Sequence, residues 1–426
     1  MQENPKHEDV KIEDVKIEDF KSEDFKIGEL LARKVREITP DVIAWRHKIH
    51  ENPELSFKEK DTSALIEEVL RASGVSLRRI GSSGTGICGE VYGTAPGPGR
   101  CVGLRADIDA LPIQEQSGVP YASKKPGIFH GCGHDSHTAI LMGTARLLSQ
   151  LKDHFSGCVK FFFQHAEEEL GGACEFIEAG VMENPHVDGV IALHALPDIE
   201  VGEIGVRDDF MTAGVDLLKI TVEGKQAHGG YPHYGVDTIL AASTIVTTLQ
   251  TLGSRELAPT DCALVTFGRI EGGISNSYIG GPVVLQGCIR YLRKTTQELF
   301  HRRVREIAEH VGQGLRAKVT VEIQPEIIPT AVDRKWVDRV RRAARGIESV
   351  KRVVELPSPA MGGEDYAYFL EKAPGALFRL GVRTPGGPHC PTHSINFYVD
   401  DQAIPVGMEV LAAATLDALT SQEQGG

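Results

Sequence analysis

The segment CVGLRADID, residues 101–109, reads as an apolar strand that runs straight into two carboxylates, Asp107 and Asp109. Runs of the same texture alternate with helical ones on both sides. ELLARKVREI (29–38), PDVIAWRHKIHENPEL (40–55) and TSALIEEVLRASG (62–74) read as helical, with Gly74 as a stop for the last, and GICGEVYG (86–93) as a strand. Then come the helix SHTAILMGTARLLSQL (136–151), the strand GCVKFFFQ (157–164), the helix GGACEFIEAGVM (171–182) and the strand VDGVIALH (187–194). Strands and helices in alternation predict an α/β sheet with helices on its faces.

Near Thr212 the texture changes. VDLLKITVEG (215–224), ALVTFGRIEGG (263–273), PVVLQGCIRYLR (282–293) and KVTVEIQPE (318–326) are strand-like. Two helices, DTILAASTIVTTLQTL (237–252) and TTQELFHRRVREIAEHVGQGL (295–315), fall between them. A β-α-β-β-α-β order of this kind is a self-contained α+β unit. After Pro329 the α/β texture returns, with a helix from Trp336 and the strand GALFRLG (375–381). The expected plan is a catalytic domain, 29–211 and 330–426, interrupted by a satellite domain, 212–329.

Composition bounds the function. A chain of 426 residues is long for a single core, so two domains are expected. A net charge of −13 sets the chain against nucleic acid or an anionic membrane as partner. No apolar run reads as a bilayer span, and the N-terminus lacks the apolar core of a signal peptide. Eight scattered cysteines follow no pairing rhythm, which predicts a reduced, cytoplasmic protein without disulfides. Residues 1–28 carry a repeat, KIEDVKIEDFKSEDFKIG from Lys11, whose five-residue period matches neither helix nor strand. A charged, disordered tail is the expectation there.

Ligands of open α/β sheets bind beyond the carboxyl ends of the strands. Here those ends carry chemistry. CVGLRAD leads to Asp107 and Asp109, CVKFFFQ leads to Glu167, Glu168 and Glu169, and DGVIAL ends on His194. Beyond GALFRLG lies GGPHCPTHS with His389 and His393, and FHGCGHDSHT (129–138) precedes a helix with His130, Cys132, His134, Asp135 and His137. Several separate segments thus deliver imidazole, thiolate and carboxylate to one kind of position. The mix suits Zn²⁺, Mn²⁺, Co²⁺ or Ni²⁺ rather than Ca²⁺. Plainer readings exist: Cys132 as a buried thiol, Asp135 or Ser136 as a helix N-cap, the Glu triplet as a solvated strand end.

These motifs, with RHKIHENPELSFKE (46–59), RADIDALP (105–112), FQHAEEELGGA (163–173), GKQAHGGYPHYGVD (224–237), GGISNSYI (272–279) and GEDYAYFL (363–370), give the chain a resemblance to the M20 metallopeptidases. Within that family it resembles the aminoacylase-like amidohydrolases, and the resemblance covers nearly everything after residue 38. It implies an α/β, mixed-sheet catalytic domain with an inserted α+β (ferredoxin-like) satellite. It also implies two divalent ions per subunit, Mn²⁺ or Zn²⁺ ahead of Co²⁺ or Ni²⁺. Cys132, His134, Glu168, His194 and His393 fall on the family's ligands, Glu167 on its general base, and Asp109 on an acid that orients the loops. In the satellite, His228 matches a histidine that reaches the carbonyl oxygen, often from a partner subunit, while Asn276 and Arg290 match positions near the substrate carboxylate.

The implied reaction is amide hydrolysis of small N-acyl amino acids, by a homo-oligomer formed through the satellite. A dipeptidase or carboxypeptidase on the same scaffold is the alternative, and a binding protein without turnover the remaining one. The chain departs from the family pattern at His165, Glu169 and Ile395. An extra imidazole and carboxylate beside the base would alter metal preference or local acidity.

Overall fold

A computed structural model describes residues 22–97 and 99–421, with side chains from Gly28 onward. The repeat expected to form a tail lies mostly outside the described residues. The helix α1, Ser22–Glu51, starts within the stretch read as tail and runs through Pro40 without a break. The two helical stretches of the sequence reading are therefore one helix. An internal proline costs about 3 kcal/mol. Burial of Leu31, Val35, Ile38, Val42 and Ile49 in the core outweighs it at about 1.5–3 kcal/mol per side chain.

The chain continues through α2 (Lys60–Ala72), β1 (Ser76–Ile80), β2 (Gly86–Tyr92), β3 (Cys101–Asp107), α3 (His134–Gln150), β4 (Cys158–Gln164) and α4 (Gly172–Glu178). Then come β5 (Gly189–Glu200), β6 (Glu203–Val206) and β7 (Asp209–Thr212). The next elements are β8 (Gly214–Glu223), β9 (Ala227–His228), α5 (Thr238–Leu249), β10 (Ala263–Gly272), β11 (Tyr278–Ile279), β12 (Val283–Tyr291), α6 (Lys294–Gly314) and β13 (Lys318–Ile327). The last are β14 (Thr330–Val332), α7 (Arg334–Arg345), β15 (Arg352–Glu355), α8 (Ala367–Leu370), β16 (Gly375–Arg383) and α9 (Ala403–Thr420).

Eight strands form one mixed sheet in the order β1-β2-β4-β3-β5-β16-β6-β15. Its centre, β4-β3-β5-β16, is parallel. Every residue of β3 and of β4 is buried, as expected of strands covered on both faces. α3 and α9 pack on this sheet, and α1 packs on both. α9 meets the length and apolarity of a membrane span, which corrects the sequence reading that no run does. Most of it is buried against the sheet and its neighbouring helices, and a core helix passes the same test.

β8, β10, β12 and β13 make a separate antiparallel sheet in the order β10-β12-β8-β13, with α5 and α6 packed on it. This is the split β-α-β arrangement, and it has its own core, centred on Leu218, Ile220, Ile245, Leu285, Phe300 and Val304. The α/β sheet with an inserted α+β unit is the architecture expected from the strand and helix texture.

Candidate metal centre

Three segments reach the same end of the parallel strands. His194 is the sixth residue of β5, and Glu167 and Glu168 follow β4. Cys132 and His134 lie where the chain enters α3. His134 is the first residue of α3, behind Gly133 at φ 90°, with no side-chain cap. That corrects the N-cap reading of Asp135 and Ser136. Ser136 Oγ donates back to the Gly133 carbonyl, and Asp135 Oδ2 accepts from Arg46 (3.0 Å) and faces His50 Nδ1 (2.9 Å).

The side chains converge. Ligand atoms of Cys132, His134 and His194 lie within 4.8 Å of one another, as do those of Cys132, Glu168 and His393, and those of His134, Glu167 and Glu168. Cys132 Sγ is 3.5 Å from His194 Nε2, and Glu168 Oε1 is 3.5 Å from His393 Nε2 and 3.9 Å from His134 Nε2. His134 Nε2 and Glu168 Oε1 are buried without a hydrogen-bond partner. Such orphans are costly, and a cation held between these side chains would satisfy both.

The outer contacts fix these donors. His134 Nδ1 faces the Asp109 carbonyl (3.0 Å) and Asp109 Oδ1 (3.2 Å), which leaves Nε2 as the free lone pair. Asp109 Oδ2 accepts from Ser56 Oγ (2.7 Å) and Glu168 N (3.0 Å), tying three segments together. His137 is spent elsewhere: Nδ1 is 2.6 Å from Asp107 Oδ1, and Nε2 accepts from Ala195 N. His130 is buried with both ring nitrogens unpartnered, and burial pushes its pKa down to about 3, so it is neutral.

The cluster is short of positive charge. Burial, with Glu364 and Glu168 beside it, holds Glu167 well above the carboxylate range, and burial pushes Glu168 up to about 7. Burial raises the Cys132 thiol as well. Burial alone would lower the pKa of His134, but Asp107 and Cys132 lift it well above its ordinary value. Thiol, imidazole and carboxylate donors that lack a counter-charge fit divalent cations of the zinc and manganese kind.

The family departures point away from this cluster. His165 Nε2 sits 2.7 Å from Glu175 Oε2, and Glu169 is exposed. Neither joins the donors, so the expected effect on metal preference has no structural basis.

The satellite residues lie apart. Among the described residues, neither His228 nor Asn276 shares a hydrogen bond, ion pair or ring contact with the cluster. His228 is exposed on β9, its Nδ1 accepts from Gly230 N (3.0 Å), and its ring neighbours are Tyr231 and Tyr278. Asn276 is exposed in the loop before β11. Arg290, on β12, donates to the carbonyl of Met361, outside the satellite.

Several residues escaped the sequence reading. Arg105 pairs with Asp107 (2.7 Å), Asp365 (2.8 Å) and Glu364 (3.0 Å) beneath Glu167, whose carboxylate lies within 4.8 Å of those of Glu364 and Asp365. Arg379, on β16, is opposite His194 in the ladder. Burial pulls the Arg379 pKa down despite the pull of Glu364, Cys132, Glu167 and Asp107. The signal was available: each is an arginine inside an apolar strand, CVGLRAD and GALFRLG.

A mixed α/β sheet with thiol, imidazole and carboxylate donors gathered at its strand ends is the framework of a metal-dependent hydrolase. Residues 103–417 match Peptidase family M20/M25/M40, and the chain belongs to this family. It is 37% identical to the N-acetyl-L-cysteine deacetylase of Bacillus subtilis over 383 residues, 90% of this chain and 89% of that protein. It is equally identical to thermostable carboxypeptidase 2 of Saccharolobus solfataricus, covering 89% of this chain and 95% of that one. Among solved structures it is similar to the Bacillus subtilis YXEP protein, described as a dinuclear metal binding peptidase from the M20 family. The TM-score is 0.80 and the identity 31%, over 91% of this chain and 100% of the other. The chain is therefore an M20 metallohydrolase of the aminoacylase and carboxypeptidase kind.

Proposed function

We propose that the protein hydrolyses N-acyl amino acids to a carboxylic acid and a free amino acid, with two divalent ions held by Cys132, His134, Glu168, His194 and His393. The observation that carries the reading is the convergence of these donors beside the buried carboxylate of Glu167. Mn²⁺ or Zn²⁺ suits the donor mix first, Co²⁺ or Ni²⁺ after them. Such ions, when bound, lower the pKa of a water and polarise the scissile carbonyl.

The chain's own groups do the rest. Glu167 takes the proton of the attacking water and returns it to the nitrogen of the leaving amine. Burial, with Glu364, Glu168 and Asp365 beside it, raises its proton affinity above that of a free carboxylate. Asp109 holds His134 and the Glu168 backbone in place. His228, with Nδ1 occupied as an acceptor, keeps Nε2–H as a donor for the oxygen that becomes anionic. Arg290 and Asn276 hold the carboxylate of the amino-acid half.

Exposed Tyr231, Tyr234, Ile239, Leu240, Ile270, Ile274 and Tyr278, all in the satellite, support pairing of two copies through that domain. Pairing is also the arrangement that would bring a His228 to a neighbouring site. The name of the archaeal relative favours a second reading, a carboxypeptidase or dipeptidase. A panel of N-acyl amino acids and dipeptides, assayed by amine release with defined metals, separates the two. Faster turnover of N-acyl amino acids is expected, and a preference for free dipeptides would replace this reading with the second.

A further inference from the structure

Arg379, in the middle of β16, lies beside the proposed donors, yet neither the donor set nor its outer contacts employ it. β16 pairs with β5 in parallel, and Arg379 lies opposite His194, so the two side chains leave the same face of adjacent strands. On the other side it faces Gly205 of β6. A side chain there would crowd it, since a Cβ on Gly205 would lie 3.0 Å from the Arg379 Cβ. The sheet thus leaves room for a guanidinium next to a proposed metal ligand.

Arg379 is 8% exposed, and among the described residues it makes no ion pair or hydrogen bond. Two more deeply buried arginines of this domain differ. Arg46 holds Asp135, Asp401 and the Val399 carbonyl, and Arg105 holds Asp107, Asp365 and Glu364. Arginine carries its charge at any relevant pH, and no Arg379 nitrogen is among the buried atoms without a partner, so the unpaired head reaches accessible space beside the cluster. Of the carboxylates whose charge reaches Arg379, Glu364 and Asp107 are held by Arg105, and among the described residues neither these nor Glu167 forms an ion pair with it.

We propose that Arg379 is a substrate-binding residue that pairs with a carboxylate of the bound substrate, supplied by either the amino-acid half or the acyl half. The guanidinium fork matches a carboxylate in two parallel hydrogen bonds. Arg290 spends one N–H on Met361, so a second arginine beside the donors would give the site another anion-reading point. This rests on the amide-hydrolase reading above.

Metal-loaded protein carrying Glu167→Gln, with Arg379 or with Arg379→Gln, is titrated calorimetrically with three ligands. They are an N-acetyl amino acid, its uncharged amide, and an N-succinyl amino-acid amide, whose only charge lies on the acyl half. Arg379→Gln should weaken at least one charged ligand about tenfold or more, and the uncharged amide less than about twofold. The ligand affected identifies the half. Equal weakening of all three, no weakening, or no binding by the parent overturns the proposal. Thermal unfolding gives an independent check, because an unpaired guanidinium contributes no native contact. Arg379→Gln should leave Tm unchanged or raise it, and a fall of more than about 5 °C would make the residue structural and overturn the proposal. Turnover by wild-type protein tests the N-acyl amino-acid reading separately.

Discussion

Glu167 and Glu168 are adjacent carboxylates that face different neighbours. Glu168 Oε1 looks at His134 and His393, while Glu167 lies within reach of Glu364 and Asp365 as well as His134. Glu167→Gln should keep metal content and lower kcat by about a hundredfold or more, read from amine release and metal analysis on the same sample. Near-normal turnover would remove Glu167 as the base. Arg46 tests the support beneath the site. Its loss leaves Asp135 buried beside His50 alone, and Arg46→Ala should cost about 3–5 kcal/mol in urea unfolding. A cost below about 1 kcal/mol would contradict a structural ion pair. The donors were legible in the sequence because each is a metal-binding residue type in or next to an apolar strand or at the start of a helix. The Arg46–Asp135 pair was not, since its partners are 89 residues apart and each alone is an ordinary surface type.

The junction between the Cys132 loop and α3 is the element on which the donors depend. Gly133 has φ 90°, and a Cβ there would lie 3.0 Å from Ala195 Cβ, next to His194. Gly133→Ala should therefore weaken metal binding at least about tenfold while the rest of the fold survives, as measured by competition with a chelator. Unchanged affinity would show that the turn is not what sets the donor geometry. Strand and helix texture was readable because β3, β4 and β16 are short apolar runs and the satellite strands alternate. The unbroken course of α1 was not, because a proline is a local signal and the burial that overrides it is tertiary. Removing residues 1–28 should spare turnover, since Leu31 and Val35 keep their places in the core. Removing ten more should lower Tm, and an unchanged melt would contradict the packing of α1 on α3 and α9.

At the scale of the whole molecule, two cores divide the labour: the larger sheet gathers the donors, and the smaller one carries His228, Asn276 and Arg290. The order of strands and helices made this plan legible. The relation of the satellite residues to the cluster was not, because it depends on how two cores meet. The central claim is that the donors at the strand ends hold the metal on which hydrolysis depends. Its most direct test is to strip the protein with a chelator and return Mn²⁺ or Zn²⁺ in steps, following amine release from an N-acyl amino acid and bound metal together. Activity should vanish on stripping and return as two ions per chain are taken up, the number described for the dinuclear relative. Full amine release by the metal-free protein would contradict the account.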